Sequence, residues 1–144
     1  MLSTTFLPLL RELADTYQTF QAYSAAHIRT LDLTPAQFDI VATLGNTQGF
    51  SPSELSQKTL ITKGTLTGVI DRLCDKGLVT RIDAAGDGRG YLIQLTKRGE
   101  KLFAKIFPEH LAHLQPVFAQ LKNQDITALT AQLAQLRNAF SSQK

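Results

Sequence analysis

The side chains in this sequence best suited to grip a polyanion are concentrated in one helix-length stretch, residues 62–76. Leu66, Val69, Ile70 and Leu73 recur at three- and four-residue steps, so they form the face that must pack inward. The opposite face then carries Gly64, Gly68, Asp71 and Asp75, flanked by Thr65, Thr67 and Arg72. Lys63 and the Thr62 hydroxyl stand at its start, where backbone N–H groups already favour anions. Such a face is small, donor-rich and positive at its beginning, which suits the DNA major groove. Hydroxyls there reach base edges or phosphates, and threonine methyls meet thymine. A mid-helix glycine costs about 1 kcal/mol relative to alanine; close approach of another surface at Gly68 would offset that.

A second cation is placed for the minor groove. Arg89 lies between Gly88 and Gly90 in the glycine-rich run at 84–90. An arginine on a thin loop enters a narrow minor groove, where the potential is most negative. Asp87, two residues earlier, is placed to hold a neighbouring cation.

The elements that position these groups are punctuated clearly. Phe6, Leu9, Leu10, Leu13, Tyr17 and Phe20 predict one long first helix ending near Leu31. Thr34-Pro35-Ala36-Gln37 supplies an N-cap, a proline at the first helical position and a capping-box glutamine, with Leu33 and Phe38 as a hydrophobic staple. That helix should stop at Gly45 or Asn46. Ser51-Pro52-Ser53-Glu54 repeats the pattern, with Phe50 and Leu55 as the staple. Thr62 is expected to cap the next helix, and Gly77 to end it. Two short helices joined by a tight turn form a helix-turn-helix pattern.

After Gly77 the period changes from helical to alternating. Leu78, Thr80 and Ile82 point one way; Val79, Arg81 and Asp83 point the other. Tyr91, Ile93 and Leu95 alternate in the same manner, predicting a β-hairpin with the glycine-rich run at its tip. Thr96 should cap a long helix bent by Pro108 and Pro116. Asp125 should cap the last one, striped by Ile126, Leu129, Leu133, Leu136 and Phe140. No internal repeat or polar linker interrupts the series.

Charge follows the same division. The net charge is only +3 over 144 residues. Between Lys58 and Lys101, however, nine basic residues face five acidic ones, a net of +4, and the remainder carries −1. All of the positive excess lies in the middle third, as a polyanion-binding module requires. Hydrophobic content of 43% fits a soluble globular chain. The single cysteine, Cys74, excludes an intramolecular disulfide and a thiolate zinc site and points to a reducing compartment. The longest apolar run, Phe6–Leu10, is too short to span a bilayer, so no membrane role is expected. His110 and His113, with Glu109 and the distant His27, are too sparse for a metal site. Serines, histidines and acids form no nucleophile motif, phosphate loop or telling carboxylate pair, so no enzyme and no cofactor is expected.

The sequence resembles the MarR (multiple antibiotic resistance regulator) family over essentially its whole length. The resemblance rests on Gly64-Thr65-Leu66-Thr67, Ile70-Asp71-Arg72-Leu73, Lys76-Gly77-Leu78-Val79 and Arg81, then Asp87-Gly88-Arg89, Leu95-Thr96 and Gly99, with Leu33-Thr34 and Gln37-Phe38 ahead of them. It implies a mainly α fold with a small β-hairpin wing. A winged helix-turn-helix over residues 33–98 would sit between dimerisation helices at 1–31 and 99–144, all in a single family domain. It implies a cytoplasmic homodimer on double-stranded DNA, a repressor of a palindromic operator relieved by a small phenolic or other aromatic anion. DNA contact is carried over to Ser53, Thr62, Lys63, Thr65, Thr67, Arg72 and Arg89, with Asp87 positioning the last. An effector pocket is carried over to Tyr17, Tyr23, His27, Arg29 and Phe38. Gly68 departs from the pattern, since relatives commonly carry a larger residue there, often arginine.

Two other readings compete. The terminal helices carry more apolar stripe than one small winged domain covers, which agrees with a dimer. The +4 segment would equally meet an acidic protein if the winged helix were a protein-binding module. A redox-responsive regulator would use Cys74, but that residue lies at a helix C-terminus, where the dipole disfavours thiolate and Lys76 offsets this in part.

Overall fold

The computed structural model describes residues 2–83 and 90–143. The chain divides into two compact units, residues 1–110 and 111–144. The first holds α1 (Leu7–Thr30), α2 (Pro35–Leu44), α3 (Pro52–Lys58), α4 (Lys63–Asp75), β1 (Val79–Asp83), β2 (Tyr91–Leu95) and the larger part of α5 (Lys97–Phe118). The second holds the end of α5 and α6 (Asn123–Ser141).

Local chemistry sets most of these boundaries. At α2 the Thr34 hydroxyl accepts from the Gln37 N–H at 3.1 Å, and the Gln37 side chain accepts from the Thr34 N–H at 3.1 Å. At α3 Ser51 and Glu54 make the same reciprocal pair at 3.1 and 3.0 Å. Each pair satisfies two donors that the helix itself leaves open. Gly77, at φ +76°, ends α4, with its N–H on the Cys74 carbonyl and that of Leu78 on the Leu73 carbonyl. Thr96 then joins two elements. Its hydroxyl donates to the Gly77 carbonyl at 2.6 Å and accepts from the Gly99 N–H at 3.0 Å, capping α5. Gly99 must be glycine for a packing reason: a Cβ there would lie 2.1 Å from the Leu78 carbonyl oxygen.

The core sits where α2, α3, α4 and the hairpin meet, with Ile40, Leu44, Leu55, Ile70, Leu73 and Ile93 fully buried. The two strands pair antiparallel, Val79 opposite Leu95 and Arg81 opposite Ile93. Three sequence expectations need correction. Thr62 occupies the N-cap position of α4 but makes no side-chain cap bond. The N-cap of α6 is Lys122, and Asp125 lies inside the first turn, where its charge still favours the helix dipole. Leu78 and Val79 are both buried, so strict alternation begins only beyond the start of β1. Phe50, expected as a staple, also bridges Ile93 through two backbone hydrogen bonds of 3.0 and 2.7 Å, a third strand-like rung. The proline at 108 leaves α5 uninterrupted, and the helix ends two residues past Pro116.

Candidate nucleic-acid interface

The face of α4 opposite its core stripe is open to solvent along its length. Leu66, Val69, Ile70 and Leu73 are buried, while Thr62, Lys63, Gly64, Thr65, Thr67, Gly68, Asp71 and Arg72 are all exposed. Ser53, in the first turn of α3, is exposed as well. Burial of that stripe turns Thr62, Lys63, Thr65, Thr67 and Arg72 outward, and Ser53 on α3 is the sixth expected contact residue that is exposed. Asp87 and Arg89 lie outside the described residues.

The N-terminus of α4 differs from those of α2 and α3. The Thr62 hydroxyl turns to the Thr65 hydroxyl at 3.3 Å instead of to a backbone amide. The N–H groups of Thr65 and Leu66 bond back to the Thr62 carbonyl. Those of Lys63 and Gly64 have no acceptor among the described residues. A Cβ on Gly64 would meet nothing within 4 Å, so the approach to these amides is unobstructed. Open amides, the helix dipole and the Lys63 ammonium together favour an anion at this point.

Asp71, on the same face, is engaged. Its carboxylate pairs with Arg81 of β1, and this hydrogen bond is the main reason the guanidinium binds its proton still more tightly than usual; the Tyr91 hydroxyl adds to it. The Arg81 group also lies over the Tyr91 ring and donates to Cys74 Sγ at 3.3 Å. The clasp ties α4 to the hairpin and withdraws one acidic group from the outward face. Cys74 is half-buried against the core. Spacing alone pointed to neither the clasp nor its partner.

Behind α4, the turn joining it to α3 is pinned to α2. Leu60 donates its N–H to Asp39 Oδ2 at 3.2 Å. Burial raises the Asp39 carboxyl above its ordinary range, and that N–H lowers it in part.

The five residues expected around an effector are distributed unevenly. His27 and Phe38 meet at His110, with ring centroids 5.1 and 4.8 Å from it. His110 is 4% exposed, and its two ring nitrogens contact Ser24 Oγ at 3.1 Å and His27 Nδ1 at 2.9 Å. The sequence marks His27 and His110 but gives no sign of Ser24. Tyr17, Tyr23 and Arg29 are exposed on α1. Among the described residues no group of three or more metal-ligating side chains converges, and no helix is long and apolar enough to cross a membrane.

Comparison with known proteins accords with this geometry. Residues 31–90 match the model of the MarR family. The HTH-type transcriptional regulator MhqR of Bacillus subtilis is 27% identical over 127 residues, 88% of each chain. The structure of AbsC, a MarR family transcriptional regulator from Streptomyces coelicolor, superposes with a TM-score of 0.85 at 24% identity over 99% of both chains. That of Bordetella bronchiseptica BpsR, whose DNA binding is regulated by 6-hydroxynicotinic acid, superposes with a TM-score of 0.80 at 25% identity, over 95% of this chain and 98% of that one. Over residues 31–90 the chain is therefore similar to the MarR family, and it has the winged helix-turn-helix fold of that family's regulators.

Proposed function

We propose that the protein is a sequence-specific DNA-binding regulator, a cytoplasmic homodimer that represses from a palindromic operator and is released by a small aromatic anion. The carrying observation is the outward face of α4: an uncapped, unobstructed N-terminus beside Lys63, followed by exposed Thr65, Thr67 and Arg72. In this reading α4 enters the major groove, Ser53 of α3 takes a phosphate, and Arg89, positioned by Asp87, reaches the minor groove.

Dimerisation is supported by unspent apolar surface. On α1, Leu9, Leu10, Leu13 and Phe20 are exposed, and α6 buries no residue while leaving Leu133 at 54% and Phe140 at 64%. Faces of this kind call for a partner, and a second copy supplies matching ones in closed symmetry. Regulation of BpsR by an aromatic carboxylate supports the effector class.

The test is a fluorescence-anisotropy titration against duplexes recovered by random-sequence selection. With six or more phosphates neutralised per dimer, affinity should fall by about 10³ between roughly 50 and 200 mM salt. Arg72→Ala should weaken binding by about tenfold or more. Salt-independent binding, or a selection that recovers no duplex, overturns the proposal.

A further inference from the structure

The recognition helix α4 is hydrogen-bonded to α2 at two points, one before it begins and one where it ends. The first is the turn at 59–61. There the Thr59 N–H bonds the Leu55 carbonyl at 2.9 Å and the Ile61 N–H bonds Thr59 Oγ1 at 3.3 Å, both inside the helix-turn-helix. Among the described residues the Leu60 N–H alone of these three reaches outside it, to Asp39 Oδ2 of α2. The Leu60 side chain is 72% exposed, so packing does not fix this residue; its amide does. The second point is Lys76, the C-cap of α4. Its Nζ donates to Gln37 Oε1 of α2 at 3.2 Å and to the Asp32 carbonyl, just ahead of α2, at 3.0 Å.

These bonds supply what burial cannot. Apolar burial is non-directional. The stripe from Leu66 to Leu73 decides which side of α4 faces inward, but not how far the helix slides along its axis or tilts. Hydrogen bonds hold a narrow range of distance and angle and weaken steeply outside it. The 13 residues of α4 span about 20 Å, so restraints at its two ends fix both height and tilt. One short helix serves both ends because Gln37 and Asp39 are two positions apart, and residues so spaced leave a helix on different faces. Gln37 is buried and Asp39 half-buried. A carboxylate partly withdrawn from water is costly unless it is bonded, and Asp39 spends its bond on the turn.

We infer that Asp39 and Lys76 are positioning residues for base recognition: without touching nucleic acid, they hold α4 at the height and tilt that bring Thr65, Thr67 and Arg72 to base edges. The inference rests on the DNA-binding reading. Groups that read bases have to be held to within about 0.5 Å, whereas attraction to phosphates tolerates displacement. Loss of either restraint should therefore remove discrimination between sequences and leave general attraction in place.

The test compares the full chain with Asp39→Ala and Lys76→Met on two duplexes, the selected one and a scrambled one of the same composition, by fluorescence anisotropy. Asp39→Ala deletes an acid and Lys76→Met a base. Plain electrostatics therefore predicts opposite effects, tighter binding for the first and looser for the second, alike on both duplexes. Positioning predicts that both variants lose discrimination by about tenfold, through the selected duplex, while the scrambled one follows the charge change alone. Asp39→Asn loses the same charge but keeps an acceptor at the same reach, so it should retain most of the discrimination that Asp39→Ala loses. Circular dichroism at the assay temperature checks that each variant is folded, and Lys76→Met decides the matter if Asp39→Ala is not. Discrimination unchanged in a folded variant, or an equal change on both duplexes, overturns the inference and leaves the DNA-binding reading standing. A parent chain that does not distinguish the two duplexes overturns both.

Discussion

The two helices of the helix-turn-helix begin in opposite ways. At α3, Ser51 and Glu54 close the N-terminus on itself, and a proline occupies the first helical position. At α4, Thr62 has the same extended backbone as Ser51, but its hydroxyl goes to Thr65 and the first two amides stay open. The closed end is a structural device that satisfies helix donors internally. The open end leaves its donors for something outside the chain, which the charge of Lys63 and the dipole mark as an anion. Residues that look equivalent in the sequence thus close one helix end and leave the next one open.

Substitutions at the two ends separate these roles. The largest effect is expected at the open one. Gly64→Glu adds a side chain where nothing obstructs it and an acid where the dipole welcomes one, so thermal stability should hold or rise slightly. The same carboxylate stands where a phosphate would dock, and duplex affinity should fall by about a hundredfold. A Gly64→Glu protein that binds duplex as tightly as the parent would show that this end is not a recognition site. Next in size, Ser51→Ala should cost about 1 kcal/mol in urea unfolding. Thr62→Ala should cost distinctly less, because no cap bond is lost; equal costs would erase the contrast.

The smallest effect concerns pH. The Ser51 N–H and then the Ser51 hydroxyl hold the Glu54 carboxyl below its ordinary range. A carboxyl depressed in the folded state contributes stability above its unfolded pKa and loses it as pH falls through the folded one. Melting temperature should therefore drop from about pH 5 downward, and Glu54→Gln should flatten that part of the profile by a small amount. A variant whose acid limb matches the parent would remove Glu54 from the account. No such titration is built into the start of α4.

The legibility of these features follows their range along the chain. The Thr34 and Ser51 boxes each involve residues three apart, so their residue types suffice to place them. The Leu66-to-Leu73 stripe likewise settles which side of α4 faces out, and with it the exposure of Lys63, Thr65, Thr67 and Arg72. The Thr62 hydroxyl has two local partners of similar reach, and composition does not choose between an amide and a neighbouring hydroxyl. Asp125 is ambiguous for a related reason: an acid serves a helix start both as a cap and within the first turn. The Phe50–Ile93 rung, the Asp71–Arg81 clasp and the Ser24–His110–His27 contact join residues 43, 10, and 86 and 83 positions apart. Nothing in their local patterns names a partner.

The order of helices and hairpin, the face of α4 that is turned outward and the concentration of positive charge in the middle third are written in the residues themselves. Periodicity, caps and charge counts are properties of short segments, and burial only has to agree with them. Tertiary structure decided how that charge is divided. Lys63 and Arg72 are exposed on the outward face of α4, whereas Lys76, Arg98 and Lys101 are gathered around a separate groove because Gly77 turns the chain and Gly99 lets α5 rest on the Leu78 backbone. Residues 76 and 98 become neighbours only when the hairpin between them folds back, and that is a long-range event no local pattern encodes.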